Sequence, residues 1–234
     1  MNYKAIIFDL DNTLLNYSAS ELKSMQQTVQ THGLIHHESF TWDSFWIHYS
    51  KINMYYWNER NKSGHNIYQI LELSFQDTLK ELRLDHSDSK LLANLYWDTF
   101  CNACDFEEHA TDILSHLHGK YNLAIISNGI GQAQRCRLAV GKIEHYFDAL
   151  VISDEVGYWK PDKEIFAEAL KRLNIHHSEA LFVGDSLNDD YFGALNAGID
   201  FCYYNRMSNP IDTSIRPKFM IDSLNKISDF LASQ

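Results

Sequence analysis

Two aspartates close an apolar run near the start of the chain: Ala5-Ile6-Ile7-Phe8 leads into Asp9-Leu10-Asp11-Asn12-Thr13. Burying charge is costly unless something compensates it. Two carboxylates at the mouth of a buried run therefore point to chemistry rather than to stability. Residues two apart on a strand face one way, which brings Asp9 and Asp11 toward one point. A pair of hard oxygen ligands there favours a magnesium-type cation. Taken alone, the stretch also reads as a strand followed by an Asp-Asn turn. Further polar sets recur down the chain. Ser127-Asn128-Gly129 follows Leu123-Ala124-Ile125-Ile126, and Gly184-Asp185-Ser186 follows Ala180-Leu181-Phe182-Val183, with Asp189 and Asp190 close behind. Lys160-Pro161 precedes a helix expected from Asp162, and Pro161 is expected to pre-set that helix start and so place Lys160. A lysine, a hydroxyl beside backbone N–H groups and a metal-holding carboxylate cluster are the parts that grip a phosphoryl group, whose transfer is mostly positioning and charge stabilisation. A carboxylate on such a rim can also be the nucleophile. Each set alone has a plain reading as a turn or a first helical turn; their joint occurrence in this order does not.

The elements that must position these residues form an α/β pattern. Ala5–Phe8, Leu123–Ile126, Ala149–Ile152, Ala180–Val183 and Phe201–Tyr204 are short apolar runs, with Phe219–Ile221 as a short sixth. Helical spacing lies between them, as in Ile165, Phe166, Ala169 and Leu170. This predicts a parallel sheet covered by helices on both faces, with right-handed crossovers and ligands at the carboxyl ends of the strands. From about Ser18 to Asp98 the pattern is helical throughout. Ala19, Leu22, Met25 and Val29 mark a first helix that Gly33 stops. An aromatic-dense segment follows, with Phe40, Trp42, Phe45, Trp46, Tyr49, Tyr55, Tyr56 and Trp57. Asn61-Lys62-Ser63-Gly64 reads as a turn, and further helices are expected around Ile67–Phe75 and Leu91–Tyr96. So long a helical stretch exceeds an ordinary crossover. The expected organisation is a sheet domain of residues 1–15 and 105–234, interrupted by an inserted helical bundle of residues 16–104.

Composition narrows the function classes. The chain has 234 residues and a formal net charge of −11, which argues against a nucleic acid polymer or an anionic membrane as main partner. A phosphate substrate stays compatible, because a bound metal dominates its local field. No apolar run approaches the ~18 residues of a membrane span, and Met1-Asn2-Tyr3-Lys4 leads straight into the first strand, so no secretory leader is expected. Cys101 and Cys104 form a CxxC without a second pair to complete a zinc site, which predicts free thiols. A cytoplasmic monomer acting on a small molecule is the expectation.

On these residues the sequence resembles the haloacid dehalogenase-like superfamily, most of whose members are magnesium-dependent phosphatases. Asp9-Leu10-Asp11-Asn12-Thr13 matches its Asp-x-Asp-x-Thr motif, Ser127 its hydroxyl motif, Lys160 its lysine, and Gly184-Asp185 with Asp189-Asp190 its acidic motif. The resemblance implies a Rossmann-like core with strand order 5-4-1-2-3 and makes the helical insert a type-one cap. It implies that Asp9 attacks phosphorus to form an aspartyl-phosphate. Asp11 would act as general acid, then general base. Mg2+ would bind Asp9, the backbone carbonyl of Asp11, and Asp185, with Asp190, in preference to Asp189, supporting it. Ser127 and the Asn128 N–H would bind phosphate, and Lys160 would screen charge between Asp9 and the phosphate. Asp11 favours a phosphatase over a 2-haloacid dehalogenase, whose halide leaving group needs no proton, and a non-catalytic binding module is less favoured still. The run Ile152–Asp162 is similar to pyrimidine 5′-nucleotidases. This implies nucleoside monophosphates such as UMP, dUMP and dTMP as substrates, with the aromatic cap suited to stacking a base. Phosphoglycolate or a sugar phosphate is the alternative.

Overall fold

The computed structural model describes residues 3–232; Met1 and Asn2, read above as the run into the first strand, lie outside the described residues. The chain begins with β1 (Ala5–Phe8) and α1 (Tyr17–His32), followed by α2 (Trp42–Ser63), α3 (Ile67–Glu81) and α4 (Ser89–Cys101). It continues through α5 (Ala110–Leu117), β2 (Asn122–Ser127), α6 (Gly131–Val140), β3 (Ala149–Ile152), the single turn α7 (Ser153–Val156) and α8 (Lys163–Leu173). The last elements are β4 (Ala180–Gly184), α9 (Phe192–Ala197), β5 (Asp200–Tyr204), β6 (Phe219–Ile221) and α10 (Ile227–Ala232). Two compact units result: residues up to Ser18 with those from Cys104 onward, and Ala19–Ala103.

The first unit is an α/β layer structure. All four residues of β1 are buried. Period two explains why a continuous apolar run serves here. Ile6 and Phe8 enter one core with Leu123, Ile125, Leu181 and Val183. Ala5 and Ile7 enter the opposite one with Ala124, Ile126, Phe166 and Phe182. Phe166 and Phe182 meet edge to face with centroids 5.1 Å apart, the geometry ring quadrupoles favour. Every strand pair is parallel, and the order is β3-β2-β1-β4-β5-β6. It differs from the expected five-strand order by β6, which lies beyond β5; read from the β5 side, the inner five run 5-4-1-2-3. The short run is held because Ile221, Leu224 and Ile227 are buried together and Phe219 stacks on Phe230 at 4.1 Å.

The second unit is a helical bundle. Gly33 ends α1 in a left-handed conformation with φ 86°. The expected turn at Asn61–Gly64 is corrected: α2 continues to Ser63, and Gly64 alone turns the chain, with φ 69° and its N–H bonded to the Arg60 carbonyl. Arg60 and Lys62 suit the negative end of that helix, and glycine takes the left-handed position without a Cβ penalty. A reciprocal Asn66–Gln69 capping box starts α3. In the interior, the Phe75 ring meets those of Phe45, Tyr49 and Tyr96 at centroid distances of 6.3, 4.9 and 6.4 Å. Of the dense segment, Phe45 and Tyr49 are therefore packing groups. Among the described residues no helix is long and apolar enough to cross a membrane.

Candidate active site

β1 ends where its ladder runs out of apolar residues. The Asp9 N–H still donates to the Val183 carbonyl at 2.8 Å, so the Asp9 side chain is fixed at the junction of β1 and β4. Its carboxylate is buried, at 5% exposure, and accepts a hydrogen bond from Lys160 Nζ at 2.5 Å. The same ammonium donates to Asp190 Oδ1 at 2.7 Å. Asp190 is fully buried, at 0% exposure, and its other oxygen accepts from the Ser186 N–H at 2.9 Å. Gly184 makes room for it, since a Cβ at that position would collide with the Asp190 carboxylate. Carboxylate oxygens of Asp9, Asp185 and Asp190 lie within 4.8 Å of one another.

The placement of Lys160 corrects one expectation. Pro161 does not open the following helix; α8 starts at Lys163 with Asp162 as its N-cap, and the Lys160–Pro161 bond is cis. Asn128 fixes the lysine instead. Its side-chain oxygen accepts from the Lys160 N–H at 2.7 Å and its amide donates to the Lys160 carbonyl at 2.9 Å. One carboxamide thus ties the end of β2 to the backbone on both sides of Lys160, because Asn carries a donor and an acceptor in one plane.

Asp190 reaches the cluster, and Asp189 does not, because of a local helical irregularity. Leu187–Tyr191 is a π turn, with the Tyr191 N–H bonded to the Ser186 carbonyl five residues back at 3.1 Å. A π turn changes side-chain direction relative to an α-helix and recurs at functional sites. The Asp189 N–H caps back onto Ser186 Oγ at 3.1 Å.

The electrostatics show an excess of negative charge. Burial pushes the Asp9 carboxyl well up, and Asp190 and Asp185 add to this while Lys160 pulls the other way. Burial and then Asp190 push Asp185 up to about 7, against Lys160 and Arg206. Burial opposes charge on Lys160, but Asp190 and Asp9 outweigh it and hold its ammonium above the usual lysine range. Three carboxylates face one ammonium. Such a set of hard oxygen donors, unbalanced in sign and partly shielded from water, fits a small divalent cation.

Asp11 lies in a different set of contacts. Its Oδ1 accepts from Arg137 Nη1 and its Oδ2 from Gln134 Nε2, both at 2.6 Å. Gln134 Nε2 also donates to Ser127 Oγ at 2.8 Å. Arg206, in the loop after β5, pairs with Glu107 and donates to Asn12 Oδ1 at 3.3 Å. Sequence reasoning missed Gln134, Arg137 and Arg206. The first two carried a signal: they lie three apart, hence on one face of the helix that directly follows Ser127.

Carboxylates thus stand at the ends of the central strands β1 and β4 of a parallel sheet, with a lysine between them. The model of the haloacid dehalogenase-like hydrolase family matches residues 3–198. The chain belongs to that family and is a hydrolase. It is 28% identical over 232 residues to the pyrimidine 5′-nucleotidase YjjG of Escherichia coli, covering 99% of each chain. It is 26% identical over 233 residues to the pyrimidine 5′-nucleotidase PynA of Streptococcus pneumoniae, covering 99% of this chain and 96% of the relative. Among solved structures, it resembles the HAD-hydrolase YfnB of Bacillus subtilis, solved bound to magnesium, with a TM-score of 0.82 and 26% identity over 99% of each chain.

Proposed function

We propose that this hydrolase is a magnesium-dependent phosphomonoesterase that acts through an aspartyl-phosphate and prefers nucleoside 5′-monophosphates, pyrimidines above purines. The observation that carries the reading is the buried Asp9–Lys160–Asp190 contact with Asp185 beside it. An Asp9 carboxylate oxygen bonds phosphorus while the bond from phosphorus to the alcohol oxygen breaks, and that oxygen takes the Asp11 proton. In the second step Asp11 takes a proton from water, whose oxygen bonds phosphorus as the Asp9–phosphorus bond breaks. Ser127 and the Asn128 N–H hold phosphate oxygens. Lys160 keeps Asp9 aimed and offsets charge as it builds on the transferring group. Asp9, Asp185 and Asp190, with the Asp11 backbone carbonyl, would hold the magnesium ion, which when bound supplies positive charge to the phosphoryl oxygens. The substrate class is supported by the two nucleotidase relatives and by the Ile152–Asp162 run.

Phosphate release tests this across pyrimidine and purine nucleoside monophosphates, phosphoglycolate and sugar phosphates, with magnesium or with chelator, and with Asp9→Asn as control. Expected are the highest kcat/KM for a pyrimidine nucleotide, loss with chelator, and a loss of about 10⁴-fold or more in Asp9→Asn. A preference for phosphoglycolate or a sugar phosphate would replace the substrate class and leave the Asp9 chemistry standing. Undiminished turnover by Asp9→Asn would overturn the mechanism.

A further inference from the structure

Gln134 and Arg137 stand beside the reacting groups assigned above without a role in that reaction. Arg137 is fully buried, at 0% exposure, and Gln134 nearly so, at 2%. A buried guanidinium is a poor device for stability, since a packed apolar side chain often does as well. Its placement therefore asks for another reason.

The hydrogen bonds leave little freedom. Arginine only donates, and Arg137 Nη1 donates to Gln134 Oε1 at 3.0 Å. That fixes which end of the Gln134 amide faces Arg137. The Nε2 end must face the other way, and its two hydrogens go to Asp11 Oδ2 and Ser127 Oγ. Ser127 Oγ is thereby an acceptor toward Gln134, and its own hydrogen is directed elsewhere. Each Asp11 oxygen accepts one bond and keeps further lone-pair capacity for a proton in transfer. The backbone is shaped for this arrangement: a Cβ on Gly129 would collide with the Gln134 carboxamide.

We propose that Gln134 and Arg137 are positioning residues, which hold the Asp11 carboxyl in one orientation for proton transfer and turn the Ser127 hydroxyl hydrogen toward the substrate phosphate. This rests on the phosphomonoesterase reading and extends it to two residues of α6. One helix face thus couples the grip on phosphate to the placement of the acid and base. Misplacing a reacting group by about 1 Å costs on the order of 100-fold.

The test compares kcat/KM for β-glycerophosphate, whose alcohol needs a proton to leave, with that for p-nitrophenyl phosphate, whose phenolate does not. Both substrates see the same folded enzyme, so the ratio is independent of any loss of folded protein. Arg137→Met is expected to lose about 10–100-fold more on β-glycerophosphate than on p-nitrophenyl phosphate, and Arg137→Lys to recover part of the ratio. Gln134→Leu is expected to shift the ratio the same way and to raise the inhibition constant for inorganic phosphate. Should Arg137→Met be inactive on both substrates, the ratio in Arg137→Lys and Gln134→Leu decides. Asp11→Asn is the reference. If Asp11→Asn shifts the ratio while the Arg137 and Gln134 variants lose equally on both substrates, with phosphate inhibition unchanged, the two residues are structural and the proposal falls alone. If Asp11→Asn itself leaves the ratio at the wild-type value, the acid role of Asp11 falls and takes this proposal with it.

Discussion

The two units of the chain bury different kinds of polar residue. In the helical unit, the buried polar side chains among the described residues are Ser20, Ser24, Thr28, Ser74, Thr78 and Ser89. Those of Thr28, Ser74, Thr78 and Ser89 donate to backbone carbonyls three or four residues earlier, at 2.6–2.8 Å. Such bonds are local and leave no charge to balance. The α/β unit buries neutral groups too, such as Thr13, Ser127 and Ser153, but it alone among the described residues also buries charged ones: Asp9, Glu107, Arg137, Lys160 and Asp190. Their ion-pair partners are 30 to 151 residues away in sequence, as in Lys160–Asp190 and Lys160–Asp9. A helix satisfies its own backbone, so its interior can be filled with rings and methyls. Converging strand ends gather side chains from distant segments, and there buried charge can be paired. Buried polar groups in one unit are uncharged; in the other they include paired charge gathered from distant segments.

That division can be broken by substitution. Lys160→Met leaves Asp9 and Asp190 buried without their shared cation. It is expected to cost about 3–5 kcal/mol of stability, read by denaturant unfolding in chelator, and to abolish most phosphate release. Stability equal to wild type would show that the carboxylates are relieved without the lysine. Asp190→Asn is expected to lower kcat/KM by about 100-fold or more, with Asp189→Asn close to wild type. Equal losses would mean that the π turn does not decide which acid serves the site. Phe75→Ala removes a fully buried ring from the helical unit and is expected to cost about 3–5 kcal/mol. Its kcat toward p-nitrophenyl phosphate, measured below the unfolding transition, should stay near wild type. A fall in kcat matching that of Lys160→Met would dissolve the distinction between packing and chemistry.

Much of the sheet was readable from the chain. The runs at Ala5, Ala149 and Phe219 coincide with β1, β3 and β6 to the residue, and those at Leu123, Ala180 and Phe201 fall within β2, β4 and β5. At the C-terminal end of α2 the composition misleads, because the helix runs on to Ser63. Asn61-Lys62-Ser63 has turn-like composition, but an exposed helix end tolerates it until a glycine permits the left-handed step. Composition does not say which face of a helix is buried: of the aromatic segment Tyr55 is exposed and Trp42, Trp46, Tyr56 and Trp57 are partly so. The structure places Phe45 and Tyr49 in the interior with Phe75.

By itself the sequence determined where the strands run and which polar residues follow them, because apolar periodicity and a polar break are local properties of the chain. It also carried the family, since Asp9, Ser127, Lys160 and Asp185 stand in a fixed order. Only the tertiary structure decided that Asn128 holds Lys160 and that Asp190 enters the cluster. It alone paired Asp11 with Gln134 and Arg137, 123 and 126 residues away. Those outcomes depend on strand register, on the phase of α6 and on one π turn. Each sets a side-chain direction, and a direction in space is not written in the spacing of residues along a chain.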